Sequence, residues 1–196
     1  LRIEMIVAIV QARMGSSRLP GKVLKDLGDC SVVEAVLRRV KMSQKVDLVC
    51  AAIPDTIEND ILAEHIENVG FKVFRGSESN VLSRYFDTAK QLKASIVIRI
   101  TADCPLVDSE IIDDCIRQFN VRSVNYLSNN TQPTFPDGLD VEVFDFETLS
   151  IAHEFATSTY DLEHVTPYMK RSTNLSRHDY VQRDDTSELR WTLDEP

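Results

Sequence analysis

The stretch Ile6-Val-Ala-Ile-Val-Gln-Ala-Arg-Met-Gly-Ser-Ser-Arg-Leu-Pro-Gly-Lys22 decides how the whole chain is read. Its first five residues are apolar and mostly β-branched, which suits a strand buried on both faces of a sheet. From Gln11 onward the chain turns polar, cationic and glycine-bearing at once. A strand that runs into such a loop begins a ligand-binding α/β unit, because open parallel sheets bind ligands beyond the carboxyl ends of their strands.

Outward from there the pattern repeats. Residues 46–53, 71–74 and 96–100 read as further buried strands, and residues 31–42, 57–69, 79–92 and 108–119 as amphipathic helices between them. The first helix gathers Val33, Val36, Leu37 and Val40 on one face, and the second gathers Ile61, Leu62, His65 and Ile66. Strands and helices in alternation predict a doubly wound α/β domain with a mostly parallel sheet and right-handed crossovers.

After about residue 120 the alternation loosens. Residues 124–127 and the alternating run 139–146 are expected strands, 129–138 a polar loop and 147–156 a helix. Thr166-Pro167 reads as the cap and first position of a short helix, and residues 178–183 and 188–193 as late strands. No repeat, low-complexity tract or linker interrupts the 196 residues, so a single domain is expected.

Composition narrows the function classes. No apolar run approaches the roughly 20 residues of a membrane span, so no membrane is expected as a partner and a cytoplasmic location is. Cys30, Cys50, Cys104 and Cys115 are widely spaced with no CxxC pair, which suggests reduced thiols and neither a zinc site nor a disulfide framework. A net charge of −9 argues against a general nucleic-acid binder. The first 25 residues nevertheless carry a net +4 through Arg2, Arg13, Arg18, Lys22 and Lys25 against Glu4. Cations gathered there describe either a focused anion site or a solvated loop.

In the loop itself, glycine lets backbone N–H groups approach phosphate oxygens, while Arg13, Arg18 and Lys22 add charge that suits a triphosphate. A Walker A loop does not fit, since five residues separate Gly15 from Gly21 and Val23 follows Lys22 where a Ser or Thr is needed. The dinucleotide-binding glycine spacing is also absent. Asp103, just after the apolar run 96–100, belongs at a strand's carboxyl end facing the same crevice, as a metal ligand or as a turn aspartate before Pro105.

Taken with Gly76-Ser-Glu-Ser-Asn-Val-Leu-Ser-Arg-Tyr85, Arg99-Ile-Thr-Ala-Asp-Cys-Pro-Leu-Val-Asp108, Asp137-Gly-Leu-Asp-Val-Glu-Val-Phe144 and Glu163-His-Val-Thr-Pro-Tyr168, the loop resembles the cytidylyltransferases that activate sugar acids. These are the 3-deoxy-manno-octulosonate and acylneuraminate enzymes, and the nearest likeness is to the spore coat polysaccharide biosynthesis protein F group. That group opens with Gln11-Ala-Arg where the sugar-acid enzymes commonly have Pro-Ala-Arg.

The resemblance spans essentially the whole chain and implies the nucleotide-diphospho-sugar transferase (GT-A, Rossmann-like) fold, with CTP and a sugar or sugar acid as substrates; the alternatives are another nucleoside triphosphate with a sugar phosphate, or a non-catalytic homologue that binds nucleotide or sugar. It implies catalytic Arg13, Arg18 and Lys22, and Mg²⁺ held by Asp103 and Asp194. Ala12, Gly15, Ser16, Ser17, Ser79, Asn80 and Arg84 would meet the nucleotide. An alternative makes Ser79 a helix cap and leaves Arg84 exposed. His164 would lie near the sugar. Asp140 and Glu142, two apart on an expected strand, would contact the sugar, support the metal or form a hydrogen-bonded strand face. Arg171 or Arg177 is the expected partner of a sugar-acid carboxylate. A homodimer contacting through residues after about 130 is expected, as is a C-terminal helix beyond Asp194, so that the domain reads as cut short.

Overall fold

The computed structural model describes residues 4–16 and 18–193, so the expected sites at Ser17 and Asp194 lie outside the described residues. Among those described, the chain runs β1 (Ile6–Gln11), β2 (Asp26–Leu27), β3 (Cys30–Ser31), α1 (Val32–Lys41), β4 (Leu48–Pro54), α2 (Asp60–Asn68), β5 (Lys72–Gly76), α3 (Val81–Gln91), β6 (Ile96–Thr101) and α4 (Ser109–Arg122). It continues through β7 (Tyr126–Ser128), β8 (Glu142–Asp145), α5 (Phe146–Phe155), α6 (Thr159–His164), α7 (Pro167–Arg171) and β9 (Arg177–Asp179). Strands β2 and β3 form a separate ribbon, and the other seven form one sheet in the order β5-β4-β1-β6-β8-β7-β9.

The chain winds outward from β1 through β4 to β5, then returns to β1's other side as β6, all in parallel. β1 is therefore the topological switch, and the crevice for a ligand opens beyond its carboxyl end. Period 2 along β1 divides the core. Ala8 and Val10 face α1, α2 and α4 through Val36, Leu37, Ile66 and Ile112, whereas Val7 and Ile9 face α3 and α5 through Leu82, Tyr85 and Leu149. The doubly wound reading and the helices of the first 122 residues thus hold, with boundaries moved by one to three residues.

The later half departs further. β8 is antiparallel to both β6 and β7 and lies between them. It is only four residues long, and Glu142, Val143 and Phe144 are all buried, because an interior strand has no solvent face and gives no alternation. Residues 188–193 form no strand; their sheet-like contact is one parallel bridge, Asp137 to Arg190. Trp191, within that stretch, is 40% exposed. Thr166 occupies a cap position without capping, because its hydroxyl donates to Glu142 at 2.8 Å instead. Ile61 is exposed, since the one-turn 3₁₀ segment Ile57–Asn59 offsets α2 and leaves Leu62 and Ile66 facing the sheet.

Burial separates two apolar positions cleanly. Leu37 is 0% exposed and Ile57 is 78% exposed. In urea unfolding, Leu37→Ala should cost about 2–5 kcal/mol, while Ile57→Ala should stay within about 0.5 kcal/mol of the parent.

Candidate active site

The polar loop after β1 is folded back on itself and braced from the next crossover. Gly21 takes a left-handed φ of 67°, and its N–H bonds to Met14 O at 3.0 Å. Met14 N–H donates in turn to Asn59 Oδ1 at 3.0 Å, and buried Asn59 is fixed by its own bond to Thr56 Oγ1 at 2.9 Å. The loop thereby becomes one wall of a cavity of about 250 Å³ at the switch point, to which Ala12, Arg13, Gly15, Ser16, Arg18 and Lys22 contribute. Thr101, Ala102 and Asp103 come from the end of β6, Val81 and Arg84 from the first turns of α3, and Glu163 and His164 from the end of α6.

Its floor is cationic and deeply set. Lys22 is 9% exposed, and its Nζ lies 2.9 Å from Asp103 Oδ2 and 2.9 Å from the carbonyl of Leu193. Arg84, expected either at the nucleotide or exposed, is 2% exposed. It donates to the carbonyl of Ser77 and makes no ion pair among the described residues. Burial pushes its guanidinium down to about 10, a shift that the nearby charge of Arg13 reinforces and Tyr85 and Glu78 oppose. A buried cation answered mainly by a carbonyl favours any anion that enters beside it.

Some expected residues stand apart from the cavity. Ser79 is exposed and does not cap α3; Asn80 does, its side chain accepting from Ser83 N–H at 2.8 Å. Ala12 lines the wall, but its N–H is given to Ala52 O at 3.3 Å. Asp140 precedes β8 and accepts from Asn130 at 3.2 Å, and burial raises its carboxyl above the usual range.

Glu142, expected at the sugar, is 1% exposed and closed off by protein partners. It takes Arg99, the Tyr126 hydroxyl at 2.5 Å, the Thr166 hydroxyl and Lys170 Nζ at 2.9 Å. Burial alone would raise its pKa, but the charges of Arg99 and Lys170 outweigh it and hold the carboxyl at about 2. Arg171 is likewise committed, gripping buried Asp161 with both arms of its fork.

His164 reaches the cavity mouth through an unusual turn. Val165 has φ 70° and ψ −56°, and Thr166 N–H bonds to His164 O at 2.8 Å, which together describe a strained γ-turn centred on a β-branched residue. Val165 is fully buried and the next residue, Thr166, is anchored on Glu142, so the surroundings hold the strain. Gln11 is in sequence only a mark of its subgroup, yet it lines the cavity, and its Oε1 is buried without a hydrogen-bond partner among the described residues.

The family model for cytidylyltransferases matches residues 7–190. The chain belongs to the cytidylyltransferase family. Among its members, the spore coat polysaccharide biosynthesis protein SpsF of Bacillus subtilis is 36% identical over 182 residues, covering 90% of this chain and 75% of that protein. A 3-deoxy-manno-octulosonate cytidylyltransferase of Anaeromyxobacter sp. is 31% identical over 114 residues, 57% of this chain and 46% of that enzyme. The solved structure of a cytidylyltransferase from Leptospira borgpetersenii superposes with a TM-score of 0.93 at 33% identity, covering 97% of this chain and 82% of that one. The cytidylyltransferase fold accounts for the cavity's position at the ends of β1 and β6.

Because Glu142 titrates far below its ordinary 4.5, it contributes stability that is complete above about pH 4.5 and lost as pH falls towards about 2. Glu142→Gln should be less stable at neutral pH by about 3–5 kcal/mol, leaving Arg99 buried without its countercharge. Denaturant midpoints across that window should show the gap between parent and variant closing as pH falls.

Proposed function

We propose that this chain transfers CMP from CTP to a hydroxyl of a sugar or sugar acid, releasing pyrophosphate, within polysaccharide synthesis. The observation that carries this reading is a cavity walled by Arg13, Arg18, Lys22 and Arg84, facing Asp103, in a member of the cytidylyltransferase family. The sugar-acid and polysaccharide elements rest on the names of the two curated relatives.

The four cations would bind the triphosphate and neutralise the departing pyrophosphate, while the narrow cavity aligns the acceptor hydroxyl with the α-phosphorus. No covalent enzyme intermediate is required. Lys22 is paired with Asp103 before substrate arrives, so nucleotide binding would draw its ammonium towards phosphate and release the carboxylate.

Asp103, half-exposed at the end of β6, suits Mg²⁺, which prefers one or two carboxylates plus phosphate oxygens and water. Asp103 and Asp194 would hold it. When bound, it would polarise the α-phosphate. Glu163 and His164, exposed at the cavity's edge, would meet the acceptor.

The test is pyrophosphate release with each nucleoside triphosphate, with and without Mg²⁺, over sugars, sugar phosphates and sugar acids. Release that needs CTP, Mg²⁺ and one acceptor supports the proposal; release with another triphosphate corrects the nucleotide, and silence with every combination sinks it. Asp103→Asn should lower kcat by about 10²–10³-fold with an unchanged circular dichroism spectrum.

A further inference from the structure

The cavity floor depends on a segment that belongs to no strand or helix. Residues 189–193 end against it, where Leu193 N–H bonds to Asp103 O at 2.8 Å and Leu193 O accepts from Lys22 Nζ at 2.9 Å. That short stretch is thus wedged between the cationic loop and the end of β6. Apolar burial does little to hold it, because Leu189 and Trp191 are both exposed and strand pairing is limited to one bridge.

Asp137 and Gly138 grip it from below. Asp137 donates its N–H to Leu189 O at 2.9 Å and accepts from Trp191 N–H at 2.6 Å, while its carboxylate pairs with Arg190 at 2.8 Å. Gly138 has φ 109°, a conformation that L side chains rarely adopt. A Cβ there would also lie 2.7 Å from Trp191 C, 2.9 Å from Trp191 O and 3.0 Å from Thr192 N. All three are backbone atoms, so no side-chain rotation relieves the clash.

We propose that Asp137 and Gly138 are positioning residues, a clamp that sets residues 189–193 against Lys22 and Asp103 and thereby fixes the geometry in which the cavity holds phosphate and a divalent cation. The catalytic part of this statement rests on the nucleotidyl transfer proposed above. The clamp's chemistry is general: it uses two backbone hydrogen bonds, one ion pair and a glycine that permits close backbone approach. Residue 194, the carboxylate expected to share the cation with Asp103, is covalently next after the wedged Leu193.

Trp191 is the chain's single tryptophan and sits on the clamped segment, which makes docking directly readable. In the full chain, Gly138→Ala should raise acrylamide quenching of Trp191 and red-shift its emission. It should weaken Mn²⁺ binding, titrated in the presence of CTP, by 10-fold or more, and lower kcat/KM for CTP by 10-fold or more. Asp137→Ala, which deletes the ion pair and keeps the backbone bonds, should move the same readouts in the same direction by less. Should Gly138→Ala fail to fold, Asp137→Ala combined with Arg190→Ala takes its place.

Quenching and Mn²⁺ affinity both equal to the parent's in a folded variant would overturn the clamp. An undocked Trp191 with unchanged Mn²⁺ affinity would overturn its link to the floor. If the parent turns over no nucleotide, the transfer reading fails, while quenching and Mn²⁺ titration still decide the clamp.

Discussion

Everything in this molecule is arranged around a strand that cannot meet water. β1 is apolar on both faces, so it must lie in the middle of a sheet with helices on either side, and the chain can supply neighbours on both edges only by reversing its winding direction. The reversal opens a crevice at the strand's carboxyl end. The loop residues beyond Gln11 are too polar to continue the strand, and they are held there as a folded loop. The apolar run thus locates the site, and the polar run supplies its chemistry.

That site is built from components that are costly on their own. Among the described residues, a nearly fully buried arginine without a carboxylate and an amide oxygen buried without a donor both line one cavity, and a valine in a strained turn directly follows His164 of that lining. Each is tolerated because rigid neighbours dictate it: Arg84 by the first turns of α3, Val165 by the anchored Thr166, and Gln11 by the end of β1. Such concentrations of local cost mark places where a ligand completes the structure.

The parallel half of the fold is legible in sequence because its signals are local. Continuous apolar, β-branched runs alternate four times with stretches of helical period 3.6, and the caps of α1 and α4, Ser31 and Asp108, sit where those switches occur. The antiparallel half is not, because burial there depends on partners far along the chain. Glu142 reads as a polar strand residue until Arg99 and Lys170 close over it, and Arg84 reads as a surface cation until α3 packs against Gly76. Residues 188–193 mimic a strand in composition, yet they are held by Asp137 and Gly138, whose own role appears only when the two backbones meet. The loop cations and Asp103 are legible because charge and position after a strand coincide; Ser79 is not, since Asn80 competes for the same cap.

The Arg99–Glu142 pair has one more consequence, for how the sheet chooses its alignment. The two residues are direct cross-strand neighbours of β6 and β8, and Glu142 also lies opposite Ser128 of β7. A slip of β8 by one residue would set Val141 or Val143 beside the guanidinium and strand a charge in the core. Apolar strands are poor at telling one register from the next, since a valine substitutes for a valine at little cost. A single charged pair removes that ambiguity, so the sheet's later half is keyed like a lock to the strand the earlier half has already placed.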